Sequence, residues 1–171
     1  PGADSGTFDY FTEAVVGRSK ASRGDYQASE DDNVIVQFVS RDKGAMGYFG
    51  LAYYEENTAK LKAVPIVSPE GKAVLPSVES VLDGSYNPLA RPMFIYVKQK
   101  SVSRPAVRQF VEFYLDNAGV LAREVGYVNL PDGDYVTTKK RFADGVLGTG
   151  FGGKPEVGIR VEDLLKRQPK L

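Results

Sequence analysis

The chain has 171 residues, of which 42% are hydrophobic and 26% are charged, and its 22 basic and 22 acidic residues leave no net charge. A chain of this length can bury a substantial core as one domain or two small lobes, and zero net charge gives no long-range attraction to nucleic acid or to an acidic membrane. The absence of His and Cys excludes imidazole-based triads, thiolate nucleophiles, disulfides and Cys or His metal sites. No run of 18 apolar residues is present, so we predict no membrane span.

The first predicted element is a helix near the start of the chain. Phe8, Phe11 and Val15 recur at three- and four-residue spacing, which places them on one helical face. Gly17 follows where a helix would end, because glycine adopts the left-handed conformation common at helix C-termini. The chain begins at Pro1 without a Met or a signal peptide, so we expect a processed or truncated product.

The start of this helix is the candidate anion site of the sequence. Asp4 or Ser5 is the predicted N-cap, because a short side-chain oxygen accepts an orphan backbone N–H of the first turn. Gly6 and Thr7 fall within that turn, and Gly6 has no side chain to screen the amides. Free N–H groups, the helix dipole and two hydroxyls would suit an oxyanion. An ordinary capped helix is the alternative interpretation.

The remainder of the first half alternates short helices and strands. A Ser29-x-x-Asp32 capping box precedes an apolar run that fits a helix better than a strand. The next predictions, in order, are a buried strand over Gly44–Gly50, a helix over Leu51–Asn57, a strand over Leu61–Val67, a hairpin around Glu70-Gly71, and a helix over Pro76–Leu82 that stops at Asp83-Gly84.

The second half contains the most apolar run and the longest helix. Arg91–Val97 is predicted as a buried strand because its apolar residues are continuous. Pro105 then opens a long amphipathic helix. We further predict an extended segment over Val125–Leu130, a helix from Pro131 to about Leu147, and a last short helix over Val161–Lys166. Alternation of strands with helices indicates an α/β fold.

The glycine cluster near the C-terminus resembles a nucleotide motif only superficially. Gly148–Gly153 satisfies G-x-G-x-x-G, and with Lys154 it matches the first seven positions of a P-loop. Pro155 replaces the Ser or Thr that would hold Mg²⁺, and no clear strand leads into the cluster. We therefore predict that it binds no nucleotide and is a loop that docks the tail.

Other charged candidates are weaker. The pairs Asp31-Asp32 and Glu55-Glu56 are interpreted as solvated helix ends, so no metal and no cofactor are predicted. Arg18, Arg23 and Arg41 follow the first helix, and any one of them could fold over its N-terminus to clamp an oxyanion. Solvent exposure is the simpler interpretation for each.

Four segments, taken together, resemble the phosphate-binding protein of bacterial high-affinity phosphate ABC transporters, a type II periplasmic solute-binding protein, with the cyanobacterial branch most similar. They occur in the family's order and span most of the chain, so the combination is specific although each piece alone is weak. The segments are Asp4–Phe11, Gly44–Tyr54, Arg91–Val97 and Val125–Pro131.

The resemblance implies a fold, a division of the chain and a site. The family has two α/β lobes with phosphate clamped between them, and this chain matches only its second half. Residues 1–90 would form the second lobe, and residues 91–171 would cross back to complete the first. The family's Ser-Gly-Thr motif carries over to Ser5, Gly6 and Thr7, and Asp4 is added as a candidate acceptor for the phosphate proton. Many members have an Arg where this chain has Pro1.

The implied function is non-enzymatic. The chain would bind inorganic phosphate for the permease of an ABC transporter, in a periplasmic or extracellular location and associated with the membrane. No nucleic acid is expected, and a missing N-terminal half is a further partner. Two alternatives stay open: a binding protein for another tetrahedral oxyanion such as sulfate, and a structural or interaction module of this fold that has lost transport. A phosphatase is disfavoured because no nucleophile–base pair is visible.

Overall fold

The computed structural model describes residues 1–170, and the chain forms two compact units, Pro1–Ala90 and Arg91–Leu171. Helices dominate both units. The elements in chain order are α1 (Gly6–Val16), α2 (Asp32–Arg41), α3 (Leu51–Glu55), β1 (Ile66–Val67), β2 (Ala73–Val74), α4 (Val78–Leu82), α5 (Gln99–Val102), α6 (Pro105–Glu124), α7 (Asp132–Ala143) and α8 (Val161–Lys166).

The first helix has the predicted limits at both ends. Ser5 is the N-cap, and its side-chain oxygen accepts the N–H of Thr7 at 3.2 Å. Gly17 is the C-cap in the left-handed conformation, with φ of +80°, and its N–H donates to Glu13 O at 2.9 Å. Phe8 is buried on the predicted apolar face. The α1 prediction is therefore confirmed, and Ser5 rather than Asp4 caps the helix.

The second helix forms as predicted but with a different cap. Asp31 accepts the N–H of Asn33 at 2.9 Å and is the N-cap, whereas Ser29, two residues earlier, accepts the N–H of Asp31 at 3.0 Å. The predicted capping box that begins at Ser29 is thus wrong. Ile35 and Val36 are buried and anchor the helix in the first unit.

The hairpin is the one place among residues 1–170 where strands pair. Ile66 lies opposite Val74 in an antiparallel register, and Gly71 takes a φ of +79° in the turn, as the sequence predicted around Glu70-Gly71. The Ser68 N–H donates to Lys72 O at 2.8 Å and closes the loop. The first strand is much shorter than the predicted Leu61–Val67.

The long helix has Pro105 at its first position, as predicted. Proline fits there because its missing N–H would have no helical partner. Val111 and Leu115 are buried one turn apart and form the core-facing side of α6. The helices α3, α4, α7 and α8 also occur where predicted, although α7 ends at Ala143 instead of about Leu147. The short helix α5 was not predicted.

Two predicted strands are absent from the described part of the chain. Gly44–Gly50 and Arg91–Val97 are irregular, with no ladder partner. A helix satisfies its backbone within its own segment, whereas a strand needs a neighbour at hydrogen-bonding distance. The apolar runs in these segments therefore do not become strands here, and the chain is mostly helical instead of evenly α/β.

The glycine cluster docks the C-terminal tail, as predicted. Thr149 and Lys170 exchange two backbone hydrogen bonds of 2.9 Å. A Cβ at Gly150 would lie 2.8 Å from Leu164 Cδ1 and 3.2 Å from the Leu164 carbonyl oxygen, so a side chain there would be crowded. Residues 146–148 form no strand and the next helix begins at Val161, which is not the strand–loop–helix context of a P-loop.

No helix in the described residues combines the length and apolar character required to cross a membrane.

Substituting Gly150 by Ala should weaken this docking. The new methyl group meets the Leu164 backbone, which cannot move as a flexible side-chain tip can, so we expect a loss of about 1–3 kcal/mol in the free energy of unfolding. Urea unfolding followed by circular dichroism measures it. Gly24→Ala is the matched control, since nothing lies within 4 Å of the position where its Cβ would be. Equal midpoints for the two variants would contradict the close packing at Gly150.

The tail is also held by an ion pair with a defined pH dependence. Arg167 donates to both carboxylate oxygens of Glu156, at 2.6 and 2.9 Å, and this hydrogen bonding lowers the pKa of Glu156 from its ordinary value of 4.5. A carboxyl group with a lower pKa in the folded state stabilises the fold above its unfolded pKa and loses that contribution as pH falls. Glu156→Gln should therefore be less stable than the wild type near neutral pH, with the difference shrinking below about pH 4.5.

Thermal unfolding across this pH range measures the difference. Glu124→Gln, at an exposed position of α6, is the control for removing one carboxylate. A stability difference for Glu156→Gln that does not change with pH would contradict the ion-pair explanation.

Candidate functional site

The segment before α1 forms a tight turn that leads into the helix. The Gly2 N–H donates to Ser29 O at 3.0 Å, and the Ser5 N–H donates to Gly2 O at 3.1 Å. Pro1 and Gly2 are buried, and the Glu30 carboxylate occupies the space where a Gly2 side chain would lie. The turn fixes the direction in which the first helical turn begins.

The donors at this helix start are only partly used. The Gly6 N–H has no acceptor among residues 1–170, as expected for a first-turn amide. The Thr7 N–H is taken by the cap, at the long distance of 3.2 Å to Ser5 Oγ. Because Ser5 accepts in that bond, its own hydroxyl proton stays available, and the Thr7 hydroxyl has no partner within the same described residues. The Gly6 N–H and the hydroxyl protons of Ser5 and Thr7 therefore have no partner among the described residues.

Asp4 lies beside these groups and does not cap the helix. Its side chain is exposed, and its backbone N–H donates to Glu30 Oε1 at 3.3 Å. No hydrogen bond engages its carboxylate in the described part of the chain. Asp4 is therefore free to accept a proton from a ligand, although it also adds negative charge next to the site.

Lys20 is the cation that the sequence analysis missed at this site. Its backbone has a φ of +64°, and its N–H donates to the buried Thr12 Oγ1 at 2.7 Å. The side chain then turns back, so that Nζ donates to Ala3 O at 3.2 Å and lies 3.8 Å from Asp9 Oδ1. No sequence pattern indicated this, because a left-handed backbone is usually assigned to glycine or asparagine.

The arginines considered from the sequence are not at the site. Arg23 forms a two-point pair with Asp25 at an exposed position, with Nε 2.7 Å from Oδ1. The side chains of Arg18 and Arg41 are exposed and make no hydrogen bond within residues 1–170. None of these three arginine side chains is shown to bind over the N-terminus of α1, where one of them could have held an oxyanion.

The charge around the helix start does not favour an anion by itself. Asp4, Asp9 and Glu30 contribute carboxylates, whereas Lys20 is the cation whose contacts reach this turn. Asp9 Oδ1 is buried and has no hydrogen-bond partner among the described residues. Its distance of 3.8 Å from Lys20 Nζ allows an ion pair but is too long for a hydrogen bond. Any anion here must be held mainly by hydrogen bonds and the helix dipole.

A shallow pocket in the second unit is a weaker candidate. It is lined by the glycine loop and the tail, and includes Arg167 and Lys170. Arg167 is already neutralised by Glu156. The described residues also contain no group of three or more acidic side chains placed to hold a metal ion.

Comparison with known proteins identifies the class. Residues 1–118 match the PBP superfamily domain, so the chain belongs to this superfamily of binding proteins and is not an enzyme. This confirms the resemblance found in the sequence. It also confirms the fold at the coarse level, although this chain contains little of the sheet expected of an α/β protein.

Particular relatives narrow the comparison. Protein SphX of Synechococcus elongatus is 56% identical over 168 residues, which is 98% of this chain and 50% of that protein. The phosphate-binding protein PstS of Staphylococcus haemolyticus is 40% identical over 136 residues, covering 79% of this chain and 42% of PstS. A crystal structure of a possible phosphate binding protein from Planctomyces limnophilus has 43% identity and a TM-score of 0.70, covering 85% of this chain and 52% of that one. The chain spans about half the length of these relatives.

Thr12 tests how the Lys20 position is held. Thr12→Val keeps the shape of the side chain but leaves the Lys20 N–H without its 2.7 Å acceptor at a site where Thr12 is 3% exposed. We expect the free energy of unfolding to fall by about 1–3 kcal/mol. Thr137→Val, at an exposed position of α7, is the control and should change stability by less than about 0.5 kcal/mol. Chemical denaturation compares the two, and equal effects would show that the Thr12–Lys20 bond is unimportant.

Proposed function

We propose that this chain binds inorganic phosphate at the N-terminus of α1. The observation that carries the proposal is the set of uncommitted donors at that turn: the Gly6 N–H and the hydroxyls of Ser5 and Thr7. The ligand is inferred from the relatives, since PstS is named as a phosphate-binding protein and the Planctomyces limnophilus structure as a possible one. Because several carboxylates surround this turn, an anion there must be held by hydrogen bonds from these neutral donors and not by an excess of positive charge.

Asp4 is proposed to select phosphate over sulfate. Phosphate carries a proton near neutral pH, and sulfate does not. A carboxylate that is free to accept a hydrogen bond therefore stabilises bound phosphate and repels sulfate. Asp4 meets this requirement because its side chain is exposed and uncommitted within residues 1–170. The phosphate-binding site would then consist of Asp4, Ser5, Gly6 and Thr7.

The wider role follows from the same relatives. We infer delivery of phosphate to the permease of an ABC transporter, at the periplasmic or outer side of the membrane. In this scheme residues 1–90 correspond to the second lobe, and residues 91–171 cross back to the first. Because the chain spans about half of its relatives, the first lobe would need the half that this chain does not match.

An interaction module of the same fold that has lost transport is the second candidate. It is favoured by the carboxylates of Asp4, Asp9 and Glu30 around the turn. Binding of phosphate at α1 separates the two, because a module without transport needs no such site.

Chemical-shift changes in nuclear magnetic resonance spectra test phosphate binding at the start of α1 directly, and they detect weak binding as well as tight binding. We expect phosphate to shift the amide resonance of Gly6 most strongly, together with those of Ser5 and Thr7, in ¹⁵N-labelled chain. Sulfate at equal ionic strength should shift them less, which controls for screening. Absence of any shift at Gly6 would contradict phosphate binding at this site. Equal shifts with phosphate and sulfate would contradict selectivity for phosphate.

Two variants test which side chains contribute to phosphate affinity and selectivity. Thr7→Val removes one hydroxyl donor with almost the same shape, and since a hydrogen bond to a charged acceptor contributes about 1.5–3 kcal/mol, affinity for phosphate should fall about 10- to 150-fold. Asp4→Asn should leave stability unchanged and narrow the preference for phosphate over sulfate. Thr58→Val, at an exposed position of the same unit, is the matched control. Unchanged affinity in Thr7→Val would remove Thr7 from the site.

A further inference from the structure

The ammonium group of Lys20 contacts both ends of the segment that holds the unpartnered donors. Its Nζ donates to Ala3 O at 3.2 Å and lies 3.8 Å from Asp9 Oδ1. Ala3 precedes residues 5–7 in the chain, and Asp9 follows them within the first turn of α1. One side chain therefore links the segment before the helix to the helix itself, across the candidate anion site.

The backbone of Lys20 is held independently of this side chain. Its φ of +64° lies in the left-handed region, and no other non-glycine residue among those the structure describes has a positive φ. A lysine adopts this conformation less readily than a glycine does, so other contacts must hold it there. The Lys20 N–H donates at 2.7 Å to Oγ1 of Thr12, which is buried in α1. The helix itself thus fixes the point from which the ammonium group reaches back.

Asp9 is the reason why this ammonium group matters for an anion. Its side chain is partly exposed as a whole, but Oδ1 is buried and has no hydrogen-bond partner among residues 1–170. The Lys20 ammonium group is the cation within ion-pair distance of that oxygen in the same residues. Without a compensating cation, the Asp9 carboxylate would repel an anion bound at the start of the same helix.

We propose that Lys20 is a positioning residue of the phosphate site, an inference that rests on the function proposed above. Its ammonium group ties Ala3 to Asp9, which holds residues 5–7 in place. The same group offsets the Asp9 carboxylate, so that the neutral donors of these residues can accept an anion. Lys20 acts through Ala3 and Asp9, and its role requires no direct contact with the ligand.

The effect of Lys20 is expected in anion affinity more than in stability. The side chains of Lys20 and Asp9 are 58% and 42% exposed, and ion pairs at such positions contribute little to stability because solvent screens them. A bound anion interacts with both members of the pair, and the attraction and the repulsion oppose each other while Lys20 is charged. Removal of the ammonium group leaves only the repulsion by Asp9.

Titration of the ¹⁵N-labelled 171-residue chain with inorganic phosphate measures this role. Lys20→Met removes the ammonium group and keeps the backbone N–H that donates to Thr12. We expect phosphate affinity to fall about three- to tenfold, and this loss to shrink as sodium chloride is raised from about 10 mM to about 300 mM, because salt screens the repulsion. Lys62→Met, at another exposed lysine of the first unit, is the matched control and should change affinity by less than about twofold.

A second substitution separates charge compensation from a purely structural role. With Lys20→Met and Asp9→Asn combined, neither charge remains, so phosphate affinity should return to within about twofold of the wild type. Asp9→Asn alone should bind phosphate more tightly than the wild type does, and Lys20→Arg should retain most of the affinity because it retains the charge. A loss in Lys20→Met that Asp9→Asn does not reverse, or that is independent of salt, would overturn the proposed role.

A measurement without phosphate distinguishes this inference from the proposed function. The hydrogen bond accepted by Ala3 O polarises the peptide group that carries the Asp4 N–H, so Lys20→Met should shift the Asp4 amide resonance in the anion-free chain. Lys62→Met should not, and an unshifted Asp4 resonance in Lys20→Met would overturn the contact with Ala3. Absence of any phosphate-induced shift at Gly6 in the wild type would overturn the proposed function and the role of Lys20 together. Unchanged affinity of Lys20→Met, in a chain that binds phosphate, would overturn the role of Lys20 alone.

Discussion

Satisfaction of the backbone hydrogen bonds is the constraint on which this structure depends. Except at its ends, a helix pairs its N–H and C=O groups within its own segment, so the limits of α1 and α6 follow from local sequence. A strand needs a neighbour, and the described residues provide one only in the hairpin of β1 and β2. The same apolar pattern therefore gives a helix in one segment and an irregular, exposed run in another.

Both units are built mainly from helices, as this constraint on the backbone predicts. In the first, buried Phe8, Ile35 and Val36 anchor α1 and α2, and the turn before α1 is closed by backbone bonds to Ser29 and Gly2. In the second, α6 packs one face inward while the aromatic residues on its other face remain in solvent. The second unit holds its tail by main-chain bonds to the glycine loop and by the pairing of Arg167 with Glu156.

The chemistry of the candidate site follows from geometry more than from charge. The start of α1 offers neutral donors, and the carboxylates of Asp4, Asp9 and Glu30 lie around it together with the Lys20 ammonium group. Such a site gains little from salt-dependent attraction and depends on the precise direction of an N–H and two hydroxyls. The turn and the bond from the Thr7 N–H to Ser5 Oγ fix only where the helix begins.

The sequence alone determined the elements that need no distant partner. It fixed both ends of α1 because Ser5 and Gly17 have conformational preferences that act within one turn, and it gave the start of α6 because Pro105 suits a first helical position. It also identified the superfamily, through four segments in order. Tertiary structure decided the rest: strand pairing and the left-handed backbone that brings Lys20 back to Ala3. These depend on which distant groups lie within hydrogen-bonding distance, and no local pattern encodes that distance.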